Sequence, residues 1–254
     1  MSVFSKIIGR FTGKAPYCSA VIAAAGFSQR MDNEDKLFLE ICGAPVLVHT
    51  LAAFQKCSLV NEIIVVAHED KYERISNLCN QYSIGKVTKI MAGGPTRLES
   101  VMNGVMAVSK KAQIIAIHDG ARPCIDEDVI NRAVSAAAQY HAVAPAVPVS
   151  STLKRVKDGV VLETVDRNGL FEVQTPQVFA AGIIKAALTK ALSESIGVTD
   201  DCMAAEYIRV PVHITAGSRN NIKLTTSEDI AMVEAILRNV QSADAAYWPP
   251  EADH

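Results

Sequence analysis

The chain has 254 residues, a formal net charge of −2 and 49% hydrophobic side chains. That length and apolar content suit one large α/β domain or two small ones, and the balanced charge excludes a global pull towards nucleic acid or anionic membrane, so any cationic chemistry must be local. No apolar run is long enough to span a membrane, and the six cysteines form no Cys-x-x-Cys pair and keep no histidine cluster, which reads as reduced, buried or incidental thiols.

Residues 1–17 read as an N-terminal extension. The first fifteen carry Lys6, Arg10 and Lys14 and no acid, and Phe4, Ile7, Ile8 and Phe11 fall on one helical face. A targeting or membrane-surface segment has this pattern. The stretch lacks a continuous apolar core, which argues against a secretory signal and favours an added helix or a frayed extension. Gly9 to Lys14 falls one residue short of a P-loop, Ala15 stands where Ser or Thr is needed, and no strand precedes it.

Val21-Ile22-Ala23 predicts a buried strand ending in the small residues Ala24, Ala25 and Gly26, and the loop beyond carries Arg30 and Lys36. Small residues at a strand's C-terminal end let a ligand approach the backbone. Ligands of open α/β sheets bind at that end, and free N–H groups with two cations suit a polyphosphate. A tight strand exit with two solvated cations fits the loop equally well. Residues 37–41 form a short apolar piece turned by Gly43-Ala44-Pro45, and Pro45 suits the first position of a helix to about Lys56. Further strands are predicted over 62–67, 86–92, 114–117 and 142–149, with helices over 70–82, 97–109 and 126–140. This alternation predicts an α/β fold with a doubly wound, mostly parallel sheet. The crossover rule then puts the loops 24–36, 93–100 and 118–122 on one rim.

Residues 152–156 and 160–165 flank Lys157-Asp158-Gly159, and Asp-Gly between two β-rich runs signals a hairpin. It holds few large apolar residues, so it predicts a protruding arm over about 150–171 that packs on a partner subunit or stands as an exposed flap. Helices are predicted over 181–194 and 200–207 and short strands over 212–215 and 222–224. Ser227 caps a last helix over 228–240. Residues 241–254, rich in Ala, Pro and acid, predict a disordered tail. The domain reading is one α/β unit over 18–240, between the extension and the tail.

A dinucleotide-binding Gly-rich fingerprint, a Walker A motif and a serine-hydrolase elbow are all missing. What remains is a rim of cations with one well-placed acid, Asp119 beside Arg122. Phosphoryl or nucleotidyl transfer asks for that composition, because it needs mainly positioning, charge neutralisation and a divalent metal.

Ala23-Ala24-Ala25-Gly26-Phe27-Ser28 with Arg30-Met31 and Lys36, then His118-Asp119-Gly120-Ala121-Arg122-Pro123, Asp166-Arg167-Asn168, Gln174-Thr175-Pro176-Gln177 and Asn221-Ile222-Lys223-Leu224-Thr225 carry a resemblance. Together, over about residues 20–240, they resemble the 2-C-methyl-D-erythritol 4-phosphate cytidylyltransferase family of the non-mevalonate isoprenoid pathway. The resemblance implies a Rossmann-like nucleotidyltransferase that joins CTP and the polyol phosphate, releases pyrophosphate, uses Mg²⁺ or another divalent cation and works in the cytoplasm as a homodimer through the arm. Neither nucleic acid nor membrane is implied as a partner.

By the same resemblance, Ala24, Ala25 and Gly26 wrap the nucleotide, and Arg30, Lys36 and Lys223 act on its phosphates. Gly94 and Ser100 read the cytosine and grip the nucleotide, and Asp119, with Gly120 beside it, binds the metal near the ribose. Thr152, Arg167, Thr175, Thr199, Asp200 and Arg122 serve the polyol phosphate, with Arg167 reaching the neighbour's site. From the residues alone, Gly93-Gly94 also fits a plain turn, Asp119 a cap, Arg167 a solvated loop cation, and Thr199-Asp200 a simple N-cap. Two departures stand out. Many members have Pro-Lys-Gln where this chain has Asp35-Lys36-Leu37, which predicts a less pre-set loop or weaker CTP binding, and Pro95 stands where an acid is common. The competing functions are a ribitol 5-phosphate cytidylyltransferase and a non-catalytic nucleotide-binding module.

Overall fold

The computed structural model describes residues 15–26 and 35–243. The Arg30 assignment, most of the N-terminal extension and the tail beyond residue 243 lie outside them.

Four parallel strands make the heart of the sheet: β1 (Cys18–Ala23), β4 (Val60–Ala67), β5 (Val87–Ala92) and β6 (Ile114–Asp119). Between β1 and β4 lie the small hairpin β2 (Glu40–Ile41) and β3 (Ala44–Pro45), then helix α1 (Val46–Lys56). Cys42 and Gly43 take positive φ at the hairpin tip, and Pro45 sits one place before the helix, where its missing N–H is harmless. Helices α2 (Tyr72–Gln81), α3 (Arg97–Ala107) and α4 (Glu127–Tyr140) follow β4, β5 and β6. The predicted alternation is present, with boundaries moved by a few residues.

Period-two burial explains the two faces. On β1, Cys18, Ala20 and Ile22 join one core and Val21 the other; on β4, Ile63 and Val65 oppose Ile64 and Val66; on β6, Ile114 and Ala116 oppose Ile115 and Ile117. Helices α1, α2 and α4 cover the first face, joined by Val233 and Leu237 of α7 (Glu228–Ala243). Helix α3 covers the second with α5 (Ala181–Ser193) and α6 (Asp201–Tyr207).

The remaining strands widen the sheet. Strand β7 (Ala142–Pro148) is bordered on one side by β12 (His213–Ala216), in parallel. On its other side run β10 (Phe171–Val173) and β11 (Gln177–Ala180), both antiparallel to it, and β11 lies between β6 and β7. The two behave as one strand interrupted at Gln174-Thr175-Pro176, where the Thr175–Pro176 peptide is cis. Neither was predicted: both are short, and the interruption hides their continuity. The predicted strand over 222–224 is absent; that segment is irregular, tied by Leu224 N–H to Ala121 O at 2.8 Å.

The arm is a separate two-stranded ribbon, β8 (Leu153–Lys157) and β9 (Val160–Val165), turned by Asp158 and Gly159 at φ 52° and 79°. Val156, Val160, Val161 and Leu162 are all exposed on it, as are Phe171 and Val173 nearby. No helix among the described residues is long and apolar enough to cross a membrane.

Candidate active site

The C-terminal ends of β1, β4, β5 and β6 are level: Ala23 stands opposite Val66 and Asp119, and Ala67 opposite Ala92. Ala24 N–H donates to Val66 O at 2.8 Å, which carries the first loop over β4. Ala24 and Ala25 are buried and Gly26 faces open space. A side chain at Gly93 would meet Ala25 Cβ at 2.4 Å, so only glycine lets the β5 loop lie against the β1 loop. Gly94 N–H donates to Ser100 Oγ at 2.9 Å, and Ser100 Oγ donates to Thr96 O at 2.9 Å. Thr96 and Glu99 form a capping box that starts α3 at this point. The Gly93-Gly94 loop is therefore both a tight turn and a wall of the rim. Gly120 N–H donates to Ala23 O at 2.9 Å and closes the gap between the first and third loops.

Asp119, the last residue of β6, is 7% exposed. Three cations converge on it: Lys223 Nζ at 3.0 Å and Arg122 Nε at 3.3 Å from Oδ2, and Arg97 Nη2 at 3.8 Å from Oδ1. Burial pushes this carboxyl up, but Lys223, Arg97 and Arg122 together hold it well below the usual carboxylate range. It is ionised throughout the physiological range.

Lys36 opens a 3-10 turn, Lys36–Phe38. Burial and the repulsion of Lys223 lower its pKa, while Asp119, Asp35 and Asp229 raise it in part. The loop in which Asp35 replaces proline lies, up to residue 34, outside the described residues. Asp35 caps the 3-10 turn by accepting from Leu37 N–H at 3.1 Å, pairs with Lys71, and Arg74 lies 4.0 Å over the Phe38 ring.

Arg122 also donates from Nη1 to Asn221 O at 2.7 Å, and Asn221 Nδ2 donates to Thr175 O at 2.8 Å. Thr175 Oγ1 accepts from Asp119 N–H at 3.2 Å and lies 2.9 Å from His118 Nδ1. Burial, with Arg122 nearby, depresses His118 to about 3 against a partial pull from Asp119, so the ring is neutral and serves as packing and orientation. The break in the β10–β11 line is thus what seats Thr175 beside Asp119.

Asp200 is the N-cap of α6, its Oδ1 accepting from Met203 N–H at 2.9 Å, while its Oδ2 accepts from Gln177 Nε2 at 2.8 Å. The cap reading of Asp200 holds, with a tie to β11 added. Thr199 is exposed beside it. Thr152 and Arg167 are not brought to Asp119: both are exposed, and Arg167 donates to Ser150 O at the foot of the arm.

Sequence reasoning did not select Arg97, Asp201 and Gln177 as site residues. Arg97 binds the buried Asp201 with two hydrogen bonds, 3.0 and 2.8 Å, and Gln177 Oε1 accepts the Asp201 and Cys202 amides at 2.9 and 3.0 Å. A cation in the first turn of α3 opposes the helix dipole, and that conflict was the available signal.

Among the described residues no group of three or more His, Cys, Asp or Glu is arranged to hold a metal. Asp119 nonetheless fits one: Oδ2 is occupied by Lys223 and Arg122, whereas the ion-pair contact of Oδ1 among the described residues is Arg97 at 3.8 Å. An available carboxylate oxygen beside a cationic rim suits a hard divalent cation that takes its other ligands from a substrate and water.

The family model for 2-C-methyl-D-erythritol 4-phosphate cytidylyltransferase matches residues 18–239. The protein of that name from Halalkalibacterium halodurans is 44% identical over 220 residues, 86% of this chain and 96% of that one. The one from Caldanaerobacter subterraneus is 42% identical over 223 residues, 87% and 98%. Among solved structures, the 4-diphosphocytidyl-2C-methyl-D-erythritol synthase of Anaerococcus prevotii superposes with a TM-score of 0.78 at 30% identity, covering 88% of this chain and 97% of that one. With the match extending over the strands and loops that build the rim, the chain belongs to the 2-C-methyl-D-erythritol 4-phosphate cytidylyltransferase family.

Proposed function

We propose that the rim around Asp119 is where this chain runs the reaction of its family, in which the cytidylyl group of CTP passes to 2-C-methyl-D-erythritol 4-phosphate and pyrophosphate leaves. The observation that carries this is the convergence of Lys223, Arg122 and Arg97 on one buried, ionised carboxylate. A phosphate oxygen of the polyol phosphate attacks the α-phosphorus of CTP in line, and the bond from that phosphorus to the β-phosphate's bridging oxygen breaks. The attacking oxygen is already ionised at neutral pH, so no general base is required.

Lys36 and Lys223, together with Arg30, bear on the triphosphate and on the departing pyrophosphate. Lys36 is crowded by a like charge, so an arriving anion relieves repulsion as well as gaining attraction. A preorganised charge of this kind is worth roughly 10²–10³ in rate. Ala24, Ala25, Gly26 and Gly120 line the nucleotide, and Gly94 with Ser100 presents backbone to the base. Asp119 Oδ1 takes Mg²⁺ or another divalent cation, which when bound supplies charge neutralisation to the phosphates.

Thr175 and Arg122 serve the polyol phosphate from the same chain, with Thr199 and Asp200 at the α6 end. Thr152 and Arg167 serve it across a homodimer, because they sit at the foot of an arm whose valines and leucine are left exposed by the described residues. Residues 18–240 act as one unit, in keeping with the eight-stranded sheet whose strands are drawn from most of that range. None of the six cysteines is joined in a disulfide, which supports a reducing, cytoplasmic setting. Pyrophosphate release with CTP and each of two polyol phosphates tests the reading: turnover with 2-C-methyl-D-erythritol 4-phosphate is expected, and turnover with ribitol 5-phosphate alone, or CTP binding without any pyrophosphate, overturns it.

A further inference from the structure

The Arg97–Asp201 pair has a geometry that charge pairing alone does not require. Arg97 begins α3 and Asp201 begins α6, 104 residues later, and their bond is bidentate. Asp201 is 1% exposed and its backbone N–H is fixed by Gln177, so the acid cannot follow the arginine. The Arg97 side chain is 37% exposed and faces the rim. Its Nη2, the nitrogen that sits 2.8 Å from Asp201, is also the one 3.8 Å from Asp119 Oδ1. A shift of about 1 Å would turn that approach into a full charge-assisted hydrogen bond. Oδ1 is the oxygen of Asp119 that Lys223 and Arg122 leave available.

We propose that Asp201 is a positioning residue that holds Arg97 away from Asp119 Oδ1, keeping that oxygen open to a divalent cation, and so sets the metal affinity of the site. This rests on the reading of Asp119 as the metal's carboxylate. With Asp201 neutral, Arg97 loses its anionic partner and turns towards Asp119, whose Oδ1 already lies 3.8 Å from Nη2. The cation must then displace a guanidinium before it can bind. Arg97 still lends Asp119 its field in the native arrangement, but from a distance that leaves a lone pair unused.

The test is Mn²⁺ binding by the full chain in the presence of CTP, read by electron paramagnetic resonance of the free ion, for the wild type, Asp201→Asn and the double variant Arg97→Gln/Asp201→Asn. Asp201→Asn is expected to weaken Mn²⁺ binding roughly 10-fold or more, the usual scale for a partner one shell out from a metal. Turnover should recover at saturating metal, a rise in the metal requirement rather than a loss of kcat. The double variant should bind Mn²⁺ more tightly than Asp201→Asn, because the competing guanidinium is gone and the two introduced amides can hydrogen-bond each other. A merely structural role predicts the opposite order, with the double variant the worse of the two. Equal Mn²⁺ binding by wild type and Asp201→Asn, or no gain in the double variant while circular dichroism shows all three folded, overturns the proposal. A wild type that binds no Mn²⁺ with CTP overturns the metal reading of Asp119, and the proposal with it.

Discussion

Gly104→Ala separates packing from helix propensity, because the two predict opposite signs. Gly104 lies inside α3 and faces the sheet. A Cβ there would sit 2.5 Å from Val21 Cγ1 and 2.6 Å from Val66 Cγ2, and both valines are fully buried. Carbon atoms rest at about 3.5–4.0 Å, so the added methyl overlaps each by about 1 Å. Neither valine can swing away, since β-branched side chains are stiff at χ1 and both strands are interior to the sheet. The helix must move instead. Overpacking of this kind costs about 1–3 kcal/mol, against about 1 kcal/mol regained from the better helix former. Two overlaps put the cost at the upper end, for a net loss of about 1–2 kcal/mol and a fall in Tm of roughly 2–8 °C. Urea and thermal denaturation followed by circular dichroism measure this. The same displacement shifts Arg97 and Ser100, so the KM for CTP should rise more than that for the polyol phosphate. A variant as stable as wild type, or more so, would refute the reasoning.

Lys36→Ala should lower kcat by roughly 10²-fold or more while leaving Tm nearly unchanged, because the side chain is only partly buried and contributes charge rather than packing; near-normal turnover would remove it from the triphosphate. Mixing inactive Lys36→Ala and Arg167→Ala subunits under exchange conditions should restore about a quarter of wild-type activity, since half the dimers are mixed and each regains one of two sites. No recovery despite proven exchange would place Arg167 in the service of its own chain.

Much of the fold is legible because burial follows simple periods. Ala20 and Ile22 against Val21, or Ile63 and Val65 against Ile64 and Val66, are continuous apolar runs of the kind a two-sided sheet requires. Asp158-Gly159 announced the arm, and Asp200, readable as an N-cap, caps a helix. The failures have physical causes. Strands β10 and β11 have three and four residues and belong to one interrupted line, so neither develops a period of its own. Ile222 to Leu224 has strand-like residues, yet its only ladder-like bond is the one from Leu224 to Ala121. The apolar pattern there reports burial of Leu224, not sheet membership.

The site was legible in its local parts and illegible where two distant parts meet. Asp119 and Arg122 are three residues apart, and a strand end followed by a cation can be read directly. Arg97 and Asp201 come from helix starts 104 residues apart, and nothing local couples them. Each nevertheless leaves a local anomaly. Arg97 is a cation at a helix start, where the dipole disfavours it. Asp201 follows an aspartate that already serves as the cap, so it has no local duty, and it is buried where an unpaired carboxylate would be costly. Two such misfits of opposite sign, each at the start of a helix on the same face of one sheet, resolve only if they pair. Their pairing also brings a cation to within 3.8 Å of Asp119 without a hydrogen bond to it. A rim built only to neutralise Asp119 would have closed that distance, and the proposed use of Oδ1 for a cation accounts for the gap.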